Sequence, residues 1–393
     1  MKIHTKAVHA GDRRNPPAQV PVTTPVYTAA SYISGTTAEL DRIFAREQAG
    51  YSYSRYENPT NRALEELAAA LENGRDALAC ASGMAALHIA ILAALTDRRR
   101  YVLAASALYG ATYRLLWNVL EPLGIESSVV DICDPDAVAR AIAEHKPGCV
   151  LMETISNPLL RVGPMDRIAE LCREAGCALV VDNTFATPLL ARPIERGAHI
   201  VVHSATKYLA GHGDVLGGLV VAGESHAETL RALSRTLGPV MGPFEAYLTT
   251  RGIKTFAVRM ERQCANAQRI AAWLRAHPKV DRVFYPDEPT HPDAAAIGRL
   301  LPDGLYGAIV SFELKGVAGR EDVFAFMDRL RLIVRATSLG DVHTMILYPA
   351  ISSHRDIAPK QRERMGIRDN LVRVSAGIED VDDILADFDH ALA

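Results

Sequence analysis

The sequence predicts an α/β fold, in which a mainly parallel sheet carries helices on both faces and a smaller α+β domain follows. Two observations support this prediction. From Arg62 onward, runs with helical periodicity alternate with short Val-rich runs of strand type, which indicates crossover connections between parallel strands. After a long helical stretch at residues 259–277, strand-like and helical segments become mixed. A chain of 393 residues with 49% hydrophobic content is long enough for two or three domains.

The predicted elements follow in chain order. ALEELAAALENG predicts a helix, DALACAS a strand, and the Ala- and Leu-rich run from Met84 a second helix. RYVLAAS, CVLMET, ALVVD and HIVVH predict further strands, and MDRIAELCREAG predicts a helix between the second and third of them. In the C-terminal part, VDRVFYP, YGAIVSFEL and LVRVSAG predict strands and EDVFAFMDRL predicts a helix.

Residues 1–60 are rich in Pro, Thr, Tyr and Asn and have weak periodicity. This composition predicts an extended N-terminal arm that contacts a partner subunit. The predicted division is therefore residues 1–60 for the arm, 61–256 for the α/β domain and 257–393 for the C-terminal α+β domain.

Composition and spacing argue against several classes of function. The net charge of −3 provides no basis for nucleic-acid binding, and no run reaches the ~18 uninterrupted apolar residues that span a bilayer. The N-terminus has no apolar signal core, so we expect a cytoplasmic protein. The histidines lack the spacing of a metal site, and no metal is expected. The cysteines are expected to be free thiols: Cys80, Cys133, Cys149, Cys172, Cys177 and Cys264.

Lys207 follows the apolar run HIVVH and lies among hydroxyls and glycines in HSATKYLAGHGDVLGG. Because the run predicts a buried strand, the lysine lies at its carboxyl end, where α/β sheets bind ligands. A lysine amine in such a position is typical of enzymes that form a Schiff base with pyridoxal phosphate (PLP). Ser204 and Thr206 can donate hydroxyls to a phosphate. The alternative for a single lysine is a solvated loop residue.

Asp182 ends another Val-rich strand in CALVVDNTFATP, again at a carboxyl edge. PLP needs a carboxylate against its pyridine nitrogen, because a protonated nitrogen turns the ring into an electron sink. Asp182 is the predicted partner of that nitrogen. The alternative is an aspartate that caps a turn through its side chain, which is common for Asp-Asn pairs.

Ser82-Gly83 separates a short strand from an Ala- and Leu-rich helix. The backbone amides of Gly83 and Met84 would then point from a helix N-terminus at an anion, and glycine permits close approach. An ordinary N-cap serine followed by a turn glycine accounts for the same residues equally well.

Together these segments resemble the trans-sulfuration, or Cys/Met metabolism, family of PLP-dependent enzymes, almost end to end. This family includes cystathionine γ-synthase, cystathionine γ-lyase, cystathionine β-lyase, methionine γ-lyase and O-acetylhomoserine sulfhydrylase. The motifs occur in the family's order: YSRYENPTN from Tyr53, ASGMAAL, YGATYRL from Tyr109, METISNPLL, VVDNTFATP, HSATKYLAGHGDVLGG, RGIKT, SLGD and LVRVSAGIEDVDDIL. The resemblance implies the type I fold of PLP-dependent transferases, with a sheet of the seven-stranded type, and PLP as cofactor.

The resemblance also implies roles for individual residues. Lys207 would form the Schiff base with PLP and then move protons, and Asp182 would pair with the pyridine nitrogen. Tyr109 would stack on the ring and exchange a proton near the leaving group, and Asn157 would contact the ring's phenolic oxygen. The phosphate would be held by Gly83, Met84, Ser204 and Thr206.

Further roles concern the substrate and a second subunit. Tyr53 and Arg55 would reach the phosphate in the neighbouring subunit, which implies a homotetramer built from two catalytic dimers. Arg373 would bind the carboxylate of a small amino-acid substrate through its planar guanidinium. Ser338 and Thr337 are expected beside it. Strict strand alternation alone places Arg373 on an outward face together with Leu371.

The resemblance predicts γ-elimination or γ-replacement on a sulfur or O-acyl amino acid, with cystathionine γ-lyase or γ-synthase activity favoured. Three of the residues that depart from the family's patterns bear on the choice of reaction. Thr337 replaces a Glu common in cystathionine γ-lyases, Ala111 replaces a Cys typical of methionine γ-lyases, and His343 replaces a common Glu. These changes suggest an altered pocket. Methionine γ-lyase and O-acetylhomoserine sulfhydrylase activities remain alternatives.

Two readings from other classes remain open. An aminotransferase would share the fold and the lysine, and a PLP-binding module with weak catalysis would share the fold alone. Joint retention of Lys207, Asp182, Tyr109 and Arg373 argues against the second. A nucleotide dehydrogenase is set aside, because no G-x-G-x-x-G follows a strand and opens a helix.

Overall fold

The computed structural model describes residues 20–96, 99–317, 319–352, 355 and 359–393. Two sheets organise these residues, one of seven strands and one of five. The α/β fold with a smaller C-terminal α+β part is therefore confirmed. The division at residues 60 and 256 stays a prediction, and residues 1–19 of the arm lie outside the described residues.

The first part of the chain contains the elements that build the larger sheet. In order they are α1 (Thr37–Phe44), α2 (Pro59–Glu72), β1 (Asp76–Cys80), α3 (Gly83–Leu95), β2 (Tyr101–Ala105), α4 (Gly110–Arg114), β3 (Glu126–Val130), α5 (Pro135–His145), β4 (Cys149–Glu153), α6 (Met165–Ala175), β5 (Ala178–Asp182), α7 (Thr187–Leu190), β6 (Ile200–Ser204) and β7 (Gly218–Ala222). A π-helical turn at Leu115–Leu120 follows α4 directly.

The second part contains the smaller sheet and its helices. The elements are α8 (Ala227–Leu237), α9 (Pro243–Ile253), α10 (Phe256–Ala276), β8 (Val280–Phe284), α11 (Ala294–Leu300), β9 (Ile309–Leu314), α12 (Arg320–Arg329), β10 (Val334–Arg335), β11 (Met345–Leu347), α13 (Pro359–Arg364), β12 (Leu371–Ser375) and α14 (Val381–Leu392).

The larger sheet has the strand order β1-β7-β6-β5-β4-β2-β3. Strands β6, β5, β4, β2 and β3 run parallel, whereas β7 is antiparallel to both of its neighbours. Glu153 at the end of β4 pairs in register with Asp182 at the end of β5. The carboxyl ends of β4, β5 and β6 therefore meet at one edge of the sheet.

The strands of this edge are buried because they lie in the middle of the sheet with helices packed around them. In β5 and β6 every residue except the terminal Asp182 and Ser204 is buried, which matches their Val-rich composition. Helix α3 is apolar over most of its surface and packs against β6 and β7. Its N-terminus therefore lies beside the strand ends.

The smaller sheet has the order β10-β11-β12-β9-β8, and α10 and α14 pack together beside it. Its central strand β12 is buried at every position, including Arg373 and Leu371. The outward face that strict strand alternation predicted for Arg373 is therefore wrong, because a central strand covered on both faces has no solvent side. Within the described residues, no helix is long and apolar enough to cross a membrane.

Candidate active site

A cavity of about 450 Å³ opens at the carboxyl ends of β4, β5 and β6. The strand termini bring together residues that are far apart in the sequence, as expected for this class of sheet. The cavity is lined by ten of the residues predicted for the site: Gly83, Met84, Tyr109, Asn157, Asp182, Ser204, Thr206, Lys207, Thr337 and Arg373.

Lys207 projects into this cavity from the turn that follows β6. Its backbone amide donates to the carbonyl of Ser204 at 3.1 Å, and its carbonyl accepts from Gly211 at 2.8 Å, so the turn is closed on itself. The Nζ amine donates to the hydroxyl of Ser338 at 2.9 Å. Burial, and then the charge of Arg373, lower the pKa of Lys207 to about 8. The amine is therefore much easier to deprotonate than an exposed lysine.

Asp182 lies at the end of β5, next to the lysine-bearing strand. The backbone amide of Thr184 donates to Asp182 Oδ1 at 3.0 Å, and the Thr184 hydroxyl accepts from the Ser204 amide at 2.8 Å. Burial raises the pKa of Asp182, while the hydrogen bonds from Thr184 and the nearby His203 counteract this rise. A cation in the cavity would favour the ionised carboxylate further.

The N-terminus of α3 forms one wall of the cavity. The Ser82 hydroxyl accepts from the Ala85 amide at 3.1 Å, while the Gly83 and Met84 amides belong to the first turn and have no partner within the helix. A Cβ at Gly83 would lie 2.9 Å from Ser204 Cβ and 3.0 Å from Ser204 Oγ. Only glycine therefore lets the Ser204 hydroxyl approach these amides.

The Thr206 hydroxyl lies on the other side of the lysine turn. It accepts from the Gly217 amide at 2.9 Å, and its oxygen lies 3.3 Å from the Gly217 carbonyl. This contact orders the chain between the lysine turn and β7. Thr206 lines the cavity as well.

Tyr109 stands at the start of α4, and 44% of its side chain is exposed. Its backbone amide donates to Glu153 Oε1 at 2.6 Å. The neighbouring Tyr113 is fixed more tightly, since its hydroxyl donates to the Ser106 carbonyl at 2.7 Å. The Tyr109 ring is thus held through its backbone while its face is open to the cavity.

Arg373 lies opposite the lysine, on β12, and only 3% of it is exposed. Its Nη1 donates to Asn157 Oδ1 at 2.9 Å and its Nη2 donates to the Ser338 carbonyl at 3.2 Å. The Nε group has no partner among the described residues. Burial lowers the pKa of Arg373 to about 10, which still leaves it charged at neutral pH. These two hydrogen bonds leave three of the five N–H donors free, and a carboxylate in the cavity could use donors among them.

Comparison with known proteins identifies the family. Residues 4–393 match the family of PLP-dependent enzymes of Cys/Met metabolism. The chain belongs to this family. An L-methionine γ-lyase of Fusobacterium nucleatum subsp. polymorphum is 40% identical over 393 residues, covering 99% of this chain and 98% of that protein. A cystathionine γ-lyase of Bacillus subtilis is 39% identical over 393 residues, covering 100% and 99%.

A solved structure extends the comparison to the fold. The cystathionine γ-synthase of Xanthomonas oryzae pv. oryzae, in complex with cystathionine, superposes with a TM-score of 0.88 at 36% identity, covering 99% of this chain and 97% of that chain. The type I fold and PLP as cofactor are therefore confirmed for this member of the Cys/Met metabolism family.

The residues of the cavity fit this cofactor. An amine, a buried carboxylate and a helix N-terminus beside a hydroxyl face one space, and the close approach at Gly83 leaves room for no larger side chain. Schiff-base formation, ring pairing and phosphate binding need these three kinds of group. Among the described residues, no cluster of three or more His, Cys, Asp or Glu is placed to hold a metal.

Tyr53 and Arg55 do not line this cavity. Both side chains are exposed, and the Arg55 guanidinium lies over the Tyr53 and Tyr56 rings at 5.7 and 4.7 Å from their centroids. Arg55 also donates to the Arg235 carbonyl. Within one chain, these two residues are thus separate from the other predicted cofactor ligands.

The three departures from the family's patterns lie in different places. Thr337 lines the cavity, whereas Ala111 does not. His343 is 63% exposed in its side chain, pairs with Asp341 at 2.8 Å and is not among the lining residues. The suggestion that His343 alters the pocket was therefore wrong: its loop turns the ring toward solvent.

Among the lining residues that sequence reasoning missed are three with polar or charged side chains, Glu153, Thr184 and Arg114. Glu153 ends strand β4 within METIS, and a carboxylate at a strand end was the signal that identified Asp182. Burial, and then the neighbouring Asp182, raise the pKa of Glu153, while the hydrogen bonds from the Tyr109 and Asn157 amides counteract this rise and favour the carboxylate. Thr184 follows Asp182 by two residues and Arg114 lies one turn beyond Tyr109, so both could have been found from those neighbours.

Proposed function

We propose that this enzyme catalyses γ-elimination or γ-replacement on an L-amino acid that carries a sulfur or O-acyl group on its γ-carbon, as cystathionine γ-lyase or γ-synthase. The observation that supports this most is the convergence of Lys207, Asp182, Tyr109 and Arg373 on one cavity of about 450 Å³. That volume accommodates a cofactor together with a small amino acid.

PLP would be held by groups on several elements. Lys207 would bind it covalently, Asp182 would pair with its ring nitrogen, and Asn157 would contact its phenolic oxygen. Gly83, Met84, Ser204 and Thr206 would bind its phosphate. When bound, PLP withdraws electrons from the substrate's α-carbon and so acidifies the bonds there.

Lys207 would move the protons. Once the substrate amine has displaced it, its Nζ is free to take the proton from the α-carbon, because its pKa of about 8 leaves roughly a tenth of the amine neutral at pH 7, far more than for an exposed lysine. The Ser338 hydroxyl at 2.9 Å would hold the amine between the α- and β-carbons. Transfer of a β-proton by the same amine is what distinguishes γ-chemistry from β-elimination, which needs only the α-proton to be removed.

Tyr109 and Arg373 would act at the two ends of the substrate. Tyr109 would stack on the ring and supply the proton that a departing thiolate needs. Arg373 would bind the α-carboxylate, with Asn157 and the Ser338 carbonyl fixing the guanidinium plane. Thr337 and Ser338 would line the substrate beside it.

A second copy of the chain would complete the site. Tyr53 and Arg55 are exposed and lie outside the cavity of their own chain, which supports a contribution to the phosphate site of a neighbour. A homotetramer of two such dimers, a cytoplasmic location and the division at residues 60 and 256 belong to the same proposal.

Thr337 favours a second candidate substrate. A neutral side chain there offers no charge to the distal ammonium of cystathionine, while Arg114 adds a positive group to the lining. An O-acylhomoserine, whose distal group is neutral or anionic, suits these residues better. γ-Synthase activity and O-acylhomoserine sulfhydrylation both use such a substrate, so these residues argue against cystathionine cleavage. Sulfhydrylation, in which sulfide takes the place of cysteine, is the alternative reaction.

Product analysis by mass spectrometry tests these proposals. The PLP-loaded enzyme is given L-cystathionine, L-methionine, or O-succinyl- and O-acetyl-L-homoserine with L-cysteine or sulfide. Cysteine and 2-oxobutyrate from cystathionine would establish a γ-lyase, and cystathionine from the acylhomoserine mixture a γ-synthase. Homocysteine from acylhomoserine and sulfide would establish the alternative. If no γ-substituted amino acid reacts, the proposed function is wrong.

A further inference from the structure

Glu153 is a buried carboxylate to which the proposed mechanism gives no task. It is 8% exposed and both of its oxygens accept backbone amides. Tyr109 N donates to Oε1 at 2.6 Å and Asn157 N donates to Oε2 at 3.3 Å. One side chain thus joins two loops that approach the cavity from different strands.

The two amides belong to residues with proposed roles at opposite ends of the substrate. Tyr109 opens α4 and would act at the leaving group. Asn157 accepts from Arg373 Nη1 at 2.9 Å, and so orients the guanidinium proposed to bind the α-carboxylate. Movement of Glu153 would consequently displace the residues proposed to act at both ends of the substrate.

The segment from Glu153 to Asn157 has open space on two sides. It separates the cavity of about 450 Å³ from a second one of about 260 Å³, and both are lined by Glu153 and Asn157. The segment is buried, but the two cavities leave gaps in its packing. Hydrogen bonds add to that packing: Thr154 N donates to the Asp182 carbonyl at 3.0 Å, and Ser156 N to the Arg161 carbonyl at 3.0 Å. For Asn157 N, Glu153 is the partner.

We infer that Glu153 is a positioning residue, whose carboxylate holds Tyr109 and Asn157, and through Asn157 the Arg373 guanidinium, in the geometry that the substrate needs. This inference rests on the proposed roles of Tyr109 and Arg373. It assigns Glu153 no contact with the reacting atoms. A glutamine offers one acceptor oxygen where the carboxylate offers two, so Glu153→Gln can keep one of the two amides but not both.

Amide hydrogen exchange of the PLP-loaded enzyme tests the hold on the backbone. In Glu153→Gln we expect at least tenfold faster exchange at Tyr109 N, at Asn157 N or at both. The matched control is Asp387→Asn, since Asp387 also accepts backbone amides, those of Arg331, Leu332 and Ile333. That variant should speed exchange at residues 331–333 and leave residues 109 and 157 within twofold of wild type.

Binding of glycine tests the consequence for the substrate site. Glycine carries the α-amine and α-carboxylate but no γ-substituent, and its binding is followed through the absorbance of the cofactor. We expect Glu153→Gln to weaken glycine binding about tenfold and Asp387→Asn to leave it unchanged. Arg373→Lys, measured in parallel, tests the proposed carboxylate site separately from Glu153.

Each outcome of these experiments supports or overturns the inference about Glu153. Unchanged exchange at residues 109 and 157 in Glu153→Gln overturns the inference, and so does faster exchange without weaker glycine binding, which would mark a structural role alone. If Arg373→Lys binds glycine normally, the proposed role of Arg373 is wrong. The exchange rates at residues 109 and 157 still decide, independently, whether Glu153 positions the two amides. Should Glu153→Gln not fold, Glu153→Asp, one methylene too short to reach both amides, is measured in its place with the same expectation.

Discussion

Gly83→Ala is a single-methyl change whose consequence can be worked out from the structure. The added Cβ would lie 2.9 Å from Ser204 Cβ, 3.0 Å from its Oγ and 3.1 Å from its Cα. Carbon atoms in contact are normally about 3.5–4.0 Å apart, so α3 and the end of β6 would have to separate. The two walls proposed to share the PLP phosphate would move apart.

The expected magnitude has two parts. Overpacking of this kind costs about 1–3 kcal/mol in the free energy of unfolding, and the better helix propensity of alanine offsets about 0.5–1 kcal/mol of it. For the cofactor, misplacement of its phosphate donors should weaken binding about 10- to 100-fold, which corresponds to roughly 1.4–2.8 kcal/mol.

The assay is a titration of the apoenzyme with PLP, together with chemical unfolding of the same preparations. Gly298→Ala is the matched control, because Gly298 lies in α11 and a Cβ there meets no heavy atom within 4 Å. It should stabilise the protein by about 0.5–1 kcal/mol and leave PLP affinity unchanged. If Gly83→Ala binds PLP within twofold of wild type, the reasoning from the close approach of Ser204 is refuted.

Two further predictions concern the site, and a third concerns the buried Arg259. Burial and Arg373 lower the pKa of Lys207 to about 8, so its labelling by acetic anhydride in the apoenzyme should rise with pH to a half-maximum near 8. Arg373→Leu should move this midpoint upward. A midpoint near the ordinary lysine value would contradict the lowered pKa. Arg55→Ala and Lys207→Ala chains, each inactive alone, should regain about a quarter of wild-type activity when they are mixed and reassembled. Half of the dimers would then contain one chain of each kind, and one of the two sites in such a dimer would be intact. No recovery would argue against a shared site. The buried Arg259 guanidinium donates to the carbonyls of Tyr208, Leu209 and Gly252 at 2.9, 3.3 and 2.8 Å. Arg259→Met should therefore lower the free energy of unfolding by about 3 kcal/mol. A loss below about 1 kcal/mol in chemical unfolding would contradict this prediction.

Polar residues that directly follow a predicted buried strand could be placed from the local sequence pattern. Lys207 and Asp182 each follow a Val-rich run, and central parallel strands are recognisable because both of their faces are buried. The edge strand β3 was not predicted, since its sequence ESSVV is only partly buried and has two serines. The same logic applied to METIS would have found Glu153.

Other residues could not be placed from pattern alone. Arg373 lies on a strand with no solvent face, so a period of two carried no information about its direction. His343 stands only six residues beyond Thr337, yet one side chain faces solvent and the other the cavity, because the loop between them turns. Tyr53 and Arg55 depend on a neighbouring chain for any role in a site.

The sequence by itself determined the fold class, the family and the cofactor, because periodicity and ordered motifs are properties of the chain. Only the tertiary structure decided which side chains share the cavity. That assignment depends on strand register, which sets Glu153 beside Asp182, and on the packing of the smaller sheet, which brings Arg373 and Ser338 to Lys207 across more than a hundred residues. Contacts of this range arise from the burial of whole sheets, and no local pattern encodes them.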